Sequence, residues 1–396
     1  MKILLISSRI PAAEKNGDQV VSFFRVMYLA RTNTVEIICF GDVSKPEDSD
    51  AKHILEAAGI VVHFIKRKPW VSFANLLLAI PNPRMPFQCA LARSGEFQRA
   101  VDAVLRRFKP DALYCVIIRI YLNAAKYEGR IFVDMVDSMG LNFSRRAGIT
   151  KGLMRWFLNL EYSRVSAFER HVAQRATRSF VVSRIDQSFI AEDKVDVIPL
   201  GIDIQRFNRV ENRASGLVIA FTGNMFYQPN ADAVLWFVQN CWLEVKARVP
   251  GVRLLIVGSN PLPSVVALGK QDEAVVVMGR VSSVAFVLNT AMVAIAPMQS
   301  GSGMQFKILE AMACSVPIVT TTLGLGDISA TPGQDLLVAD SPAEFSKAVV
   351  SLLKSEVLAG AVGERGMQYV RSNHSWDALN ERFAIACGIK EVNETQ

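Results

Sequence analysis

Ala294-Ile295-Ala296-Pro297-Met298-Gln299-Ser300-Gly301-Ser302-Gly303-Met304-Gln305-Phe306-Lys307-Ile308-Leu309-Glu310-Ala311-Met312-Ala313 reads as a strand, a glycine-rich loop and a helix. The strand closes at Pro297, and Gly301 and Gly303 let backbone come close to a ligand. A helix that begins near Gly303 turns its unpaired amides and positive dipole end toward an anion. Gly303, Lys307 and Glu310 stand at i, i+4 and i+7, so one helix face carries open backbone, a cation and a carboxylate, while Phe306, Leu309 and Ala313 line a face toward the core. A diphosphate at the helix start, Lys307 against its oxygens and Glu310 accepting from ribose hydroxyls would use all three features. Spacing alone also fits an amphipathic helix with a solvated Lys–Glu pair.

Outward from this stretch, short β-branched runs alternate with helical patterns, the mark of βα units and parallel sheets. In the first half the expected strands are 2–7, 35–40, 61–65, 112–116, 130–136, 179–183 and 195–199; in the second they are 217–222, 253–258, 275–279, 293–297, 317–321 and 335–339. The 396 residues exceed what one hydrophobic core usually organises. The fold class is therefore α/β, with two doubly wound, Rossmann-like domains. Polar residues 206–216 replace the apolar periodicity and mark the linker, giving domains 1–205 and 206–374. Ligands of open α/β sheets bind beyond the carboxyl ends of the strands, so two such domains are expected to face a central cleft.

The net charge of +7 divides unevenly: residues 1–215 hold 32 Lys and Arg against 22 Asp and Glu, and residues 216–396 hold 12 against 15. The basic first half favours an acidic partner such as a phosphate or an anionic lipid surface, unless it is simply a soluble basic surface. The six cysteines are widely spaced, as reduced core thiols would be, and imply a reducing, cytoplasmic setting. No apolar run approaches the ~18 residues needed to cross a bilayer. The four histidines, 53, 63, 171 and 374, are scattered without acidic companions, so no metal site is expected.

The run 303–313, with Pro317-Ile318-Val319 after it, is similar to the donor motif of the retaining GT-B glycosyltransferases of family 4. Phe221-Thr222-Gly223-Asn224-Met225 with Pro229-Asn230-Ala231-Asp232-Ala233 resembles the first strand and loop of the family's donor domain. Leu254 to Gly258 and Met278 to Val281 resemble two further strands, Val197 to Asp203 the interdomain segment, and Tyr369 to Phe383 the terminal helix that returns to the first domain, here about 375–396. A lysine at the place of Lys307 makes the chain most like the bacterial exopolysaccharide sugar transferases. The resemblance implies transfer of a sugar from a nucleotide-diphosphate sugar to a glycan or lipid-linked acceptor. It implies retention of configuration, no cofactor beyond the donor substrate and no metal.

By the same resemblance, donor binding falls on Gly223, Asn224, Arg280, Ser300, Gly301, Gly303, Met304, Gln305, Lys307 and Glu310. The family's usual motif has two glutamates; Ser302 stands at the first and Glu310 at the second, so these two join the catalytic candidates. The basic pair that many relatives carry after the first donor strand is absent, with Asn224 and Asn230 near those places, and Lys307 and Arg280 are expected to supply the positive charge.

In the first half a long loop, 8–16, precedes Gly17, Asp18 and a helix expected from Val20 to Ala30. Loops of this length in a βα unit tend to be functional, and the resemblance puts Gly17 beside the diphosphate or acceptor; a plain helix start with Asp18 in its first turn fits as well. Asp134 and Asp137 end a strand, and Asp137 is the candidate to orient or deprotonate the acceptor hydroxyl, with capping of the next helix as the competing reading. Lys66-Arg67-Lys68 followed by Trp70, Phe73 and Leu76 to Leu78, and the segment 151–170 with Arg155, Trp156 and Phe157, suit interfacial helices at an anionic membrane surface. They equally suit buried helices with charged rims.

Other classes fit less well. Neither half has G-x-G-x-x-G between its first strand and helix, which disfavours an NAD-dependent oxidoreductase. The basic half carries no recognisable nucleic-acid module, so nucleic acid is not an expected partner. A non-catalytic nucleotide- or glycan-binding protein on the same scaffold is the alternative that Ser302 keeps open.

Overall fold

The runs of Ile, Leu and Val that mark the strands are buried on both faces, as parallel sheets covered by helices require. In the first strand Leu4, Leu5 and Ile6 are wholly inaccessible. The structure is a computed structural model and describes residues 1–13, 17–210, 216–301 and 304–389. Its first sheet contains β1 (Lys2–Ser7), β2 (Thr34–Phe40), β3 (Val61–Ile65), β4 (Ala112–Val116), β5 (Arg130–Val136), β6 (Arg178–Val181) and β7 (Val195–Val197). The second contains β8 (Val218–Thr222), β9 (Arg253–Val257), β10 (Val275–Gly279), β11 (Val293–Ala296), β12 (Ile318–Thr320) and β13 (Leu337–Val338). Every ladder is parallel, in the orders β3-β2-β1-β4-β5-β6-β7 and β10-β9-β8-β11-β12-β13. Both orders reverse once, between β1 and β4 and between β8 and β11, and such switch points are where doubly wound sheets open a ligand crevice.

Each sheet belongs to a compact unit with its own core, one comprising Met1–Pro199 and the residues from Trp376 onward, the other Leu200–Ser375. The chain thus leaves the first unit at Pro199, ahead of the expected boundary at 205. Residues 200–202 are already tied to the far end of the second unit: the Ile202 amide donates to the His374 carbonyl at 2.8 Å, and the His374 Nδ1–H donates to the Leu200 carbonyl at 2.6 Å. His374 is a structural residue, and burial holds its imidazole below its ordinary pKa.

The helix Trp376–Ala386 packs in the first unit. Trp376 stacks on Phe24 at 4.8 Å between ring centres, and the Asn380 amide donates to the Phe24 carbonyl at 3.1 Å. Phe383 sits against Tyr114 and Phe180 and lies 4.6 Å under the guanidinium of Arg25. Arg25 and its ion-pair partner Asp134 are both fully enclosed, and Tyr114 Oη donates to Asp134 at 2.8 Å. All six cysteines are buried free thiols.

Candidate functional site

The expected site residues fall at the two switch points, one cluster in each unit. In the second unit β8 ends at Thr222 and β11 at Ala296. The helix that follows β11 runs Phe306–Ala313, with Gln305 as its N-cap. It does not begin near Gly303. Glycine is a poor helix former, Gly301 takes φ +118°, a conformation open only to glycine, and the N-cap Gln305 is extended. Lys307 is consequently the second helical residue, and Ser302 and Gly303 lie outside the described residues.

Lys307 is 8 % exposed. Its Nζ donates to Gln305 Oε1 at 2.9 Å, lies 3.8 Å from Met298 Sδ and stands 5.7 Å over the Phe221 ring. Among the described residues no carboxylate pairs directly with this ammonium. Burial lowers its pKa to about 8 against the opposing pull of Glu310. Glu310, half-buried one turn along the helix, is pushed up to about 7 by burial, with Lys307 and Arg206 acting the other way. The chemistry on offer is a desolvated cation without a counter-ion, backed by a carboxyl that can accept or share a proton.

Gly223, at the end of β8, borders this cation: a Cβ there would lie 2.7 Å from Asn230 Nδ2 and 3.3 Å from Lys307 Cε. Asn230 donates to the Asn224 carbonyl at 2.9 Å, and its own Oδ1 is buried without a hydrogen-bond partner among the described residues. Across the loop, a Cβ on Gly301 would point toward Pro229 and Tyr227 at 3.7 and 3.9 Å. Ser300 is half-buried and Met304 buried. Gly223, Gln305 and Lys307 thus come together, with Gly301 against the Tyr227–Pro229 turn. Asn224 does not join them through its side chain, whose Oδ1 closes the local turn by accepting from the Phe226 amide at 3.1 Å. Arg280 follows β10, the edge strand, with β9 between it and β8, so the two strands stand roughly 10 Å apart across the sheet.

In the first unit the carboxyl ends of β1, β4 and β5 lie side by side, with Ser7 in register with Val116 and Val116 with Asp134. Asp18 stands in the first turn of the helix Gly17–Leu29, which starts three residues before the expected Val20, and pairs with Arg9 at 3.5 Å. The helix after β5, Met139–Ile149, is capped by Ser138, whose side chain accepts from the Leu141 amide. The cap of this helix is therefore Ser138 and not its neighbour Asp137. Burial, then the carboxylates of Asp186 and Asp18, push its pKa up to about 7, while Arg119 opposes them.

Arg119, Arg9, Tyr227 and Arg206 stand in no motif and were not foreseen, and Met298 lies in the strand–loop–helix stretch without a role having been expected for it. Among the described residues no group of His, Cys, Asp and Glu is arranged to hold a metal ion.

Comparison with known proteins fits this geometry. Residues 216–355 match the sequence model of the family "Glycosyl transferases group 1". A GDP-mannose-dependent monoacylated alpha-(1-6)-phosphatidylinositol monomannoside mannosyltransferase of Corynebacterium glutamicum is 25 % identical over 227 residues, 52 % of this chain and 58 % of that protein. The chain therefore aligns with somewhat more than half the length of this curated relative. Among solved structures, a sucrose-phosphate synthase of Thermosynechococcus elongatus superposes with a TM-score of 0.74 at 14 % identity, covering 97 % of this chain and 98 % of that one. Anabaena HepE, solved with UDP and glucose, gives 0.69 at 14 % identity over 98 % and 99 %. At such identities these likenesses establish the fold. The fold is of the GT-B type, two Rossmann-like units of parallel sheet. The match to the glycosyl transferases group 1 model lies within the second unit.

Proposed function

We propose that the protein moves a sugar from a nucleoside-diphosphate sugar, bound by the second unit, to a hydroxyl of a glycan or lipid-linked acceptor, bound by the first. The observation that carries this reading is Lys307, a buried ammonium at the β8–β11 switch point, beside Gly223, whose Nζ has a carboxamide and a thioether as its polar neighbours among the described residues. A diphosphate would supply the missing counter-ion. The relatives bear on the donor class: one is named for GDP-mannose and one was solved with UDP and glucose, and both are nucleoside-diphosphate chemistry.

In this reading Lys307 and the backbone amides of the loop stabilise charge on the departing diphosphate, which is the largest contribution a transferase of this type can make. Glu310 accepts from the ribose hydroxyls. Ser302, where relatives carry a glutamate, contributes a hydrogen bond at most. No metal is needed when a cation and amides hold the leaving group, and retention with a role in bacterial exopolysaccharide or surface polysaccharide synthesis follow from the motif resemblance alone.

Asp137 takes the proton of the attacking hydroxyl. It must be ionised to do so, and its pKa of about 7 makes the rate climb as pH rises through neutrality. The charged groups facing it are Asp18, Asp186 and Arg119, together with Glu169, which also titrates near 7 but whose oxygens already accept from Ser138 Oγ and the Gly140 amide. Asp137→Asn is expected to slow transfer by about a hundredfold or more, the usual worth of a general base, with donor affinity retained. Full transfer by the folded variant removes Asp137 from the mechanism.

The first unit also exposes a broad apolar face. Trp70 is 72 % exposed, Leu78 74 %, Leu153 88 % and Trp156 67 %, so these segments are not buried helices with charged rims. The helices Pro69–Ala79 and Gly152–Arg175 are joined through the short helix Phe87–Ala92: Phe157 stacks on Phe87 at 5.7 Å, and Arg164 donates to the Ile80 carbonyl at 3.0 Å. With Lys66, Arg67, Lys68 and Arg155 in the same segments, we read this face as an anchor on an anionic bilayer, where a lipid-linked acceptor would be found. No helix among the described residues is long and apolar enough to cross a membrane. The protein is expected to float with phosphatidylglycerol vesicles at low salt, and Trp70→Ser with Trp156→Ser to stay in solution; a wild-type protein that never floats contradicts the anchor.

A further inference from the structure

Three segments at the switch point of the first sheet bring Asp18 and Asp137 together with two arginines that no motif announces. Ser8 and Arg9 follow β1, Arg119 follows β4 and Asp137 follows β5, while Asp18 comes from the first helix. Two of these segments begin with β-branched residues in the left-handed region, Ile117 at φ +65° and Val136 at φ +64°. Branched side chains avoid this conformation, and where it persists the surrounding structure enforces it, most often at working sites. Here the Ile117 amide is held by the Asp134 carbonyl at 2.7 Å, and the Val136 carbonyl by the Val182 amide at 2.7 Å. Arg119 and Asp137 are thereby set just beyond two fixed, strained turns on adjacent strands.

The polar atoms in this cluster are incompletely paired. Among the described residues, Ser8 Oγ, Asp18 Oδ2 and Arg119 Nε are all buried without a hydrogen-bond partner, and Asp18 meets Arg9 only at the 3.5 Å of a loose ion pair. Arg119 is desolvated and feels Arg9 as a like charge. Buried donors and acceptors without partners are costly, and their clustering at a switch point is what an absent ligand leaves behind. A guanidinium with open donors matches a planar or tetrahedral oxyanion; an open carboxylate oxygen and a hydroxyl match sugar hydroxyls.

We propose that Arg119, with Arg9 beside it, recognises an acidic group on the acceptor sugar, a carboxylate or a phosphate, while Asp18 and Ser8 bind the neighbouring hydroxyls. The proposal rests on the transferase reading above and narrows its acceptor to acid-bearing sugars. An anion between the two guanidinium groups relieves their repulsion, and the hydroxyl next to it comes to Asp137.

The test is calorimetric titration of the full-length protein with methyl glucuronide, glucose 6-phosphate and methyl glucoside, each alongside UDP and GDP. At least one acidic sugar should bind about tenfold or more tightly than the neutral one, as charge-assisted hydrogen bonds to a buried arginine imply. Arg119→Gln should abolish that preference and leave nucleotide affinity as it was, and Arg119→Lys should keep part of it. If the glutamine variant does not fold, Arg9→Gln, at a more exposed position, should reduce the preference several-fold. Comparison of the two acids shows which group the site takes. Equal binding of acidic and neutral sugars, absence of binding by all three, or a preference that survives Arg119→Gln overturns the proposal. Loss of nucleotide binding in the wild-type protein would instead strike at the donor site and is read separately.

Discussion

Lys307→Met lowers the affinity for the nucleoside diphosphate by about ten- to a hundredfold, the worth of a charge-assisted hydrogen bond of roughly 1.5–3 kcal/mol. Methionine keeps the length of the stem, so the walls formed by Phe221, Met298 and Gly223 stay filled. What disappears is a buried charge that no carboxylate among the described residues pairs with directly. Such a charge opposes folding, because burial penalises the ammonium. The variant should therefore melt at the same temperature as the wild type or higher while binding nucleotide worse. A lysine with a purely structural role would give the opposite pairing, lower stability with unchanged affinity. The pH dependence has a defined sign as well: with its pKa near 8, Lys307 is charged at neutral pH and loses its proton above, so affinity falls as pH rises past about 8. Isothermal titration with UDP and GDP in the presence of EDTA checks all of this, and the chelator leaves binding unaffected if no metal takes part.

Arg25→Ala destabilises the protein by about 3–5 kcal/mol, as removal of one member of a buried ion pair usually does. Both Arg25 and Asp134 have no exposure to solvent, and without the guanidinium the carboxylate keeps only Tyr114 Oη and the Val136 amide as partners. The Phe383 ring loses the cation it faces, which loosens the helix Trp376–Ala386. A double variant, Arg25→Met with Asp134→Asn, leaves no buried charge and should recover part of the loss. Denaturant unfolding of the three proteins measures this; a single variant within about 1 kcal/mol of wild type would show that the pair is not the anchor of the terminal helix. The effect extends toward Asp137, because Asp134 Oδ1 accepts from the amide of Val136, the residue before it.

The strands were legible because parallel sheets covered on both faces read as continuous apolar runs, and Lys2–Ser7 or Arg130–Val136 can be located to the residue. The unit boundary was less so, since the chain around Leu200 is claimed by His374 from the far end of the second unit, a tie between residues 174 apart that no local pattern encodes. The start of the helix at Phe306 was misplaced because glycines that allow a close approach to a ligand also resist helix formation. Lys307 was found from a motif, whereas Arg119 could not be: its position depends on Ile117 adopting a backbone angle that its own side chain disfavours, and sequence preference points away from such a turn. The exposed Trp70 and Trp156 faces were ambiguous for a different reason, since an apolar stripe with a basic rim has one pattern whether it meets a core or a bilayer.

The proposed donor site requires that the ammonium of Lys307 receive a diphosphate. Nuclear magnetic resonance of the protein labelled with ¹⁵N at the lysine Nζ follows that group through its titration, with Lys307→Met identifying its signal. Saturating UDP or GDP should move the Lys307 midpoint upward from about 8 toward the ordinary lysine range, because a bound dianion favours the charged form. A midpoint that stays where it was while the nucleotide binds would place the diphosphate elsewhere and contradict the donor site described above.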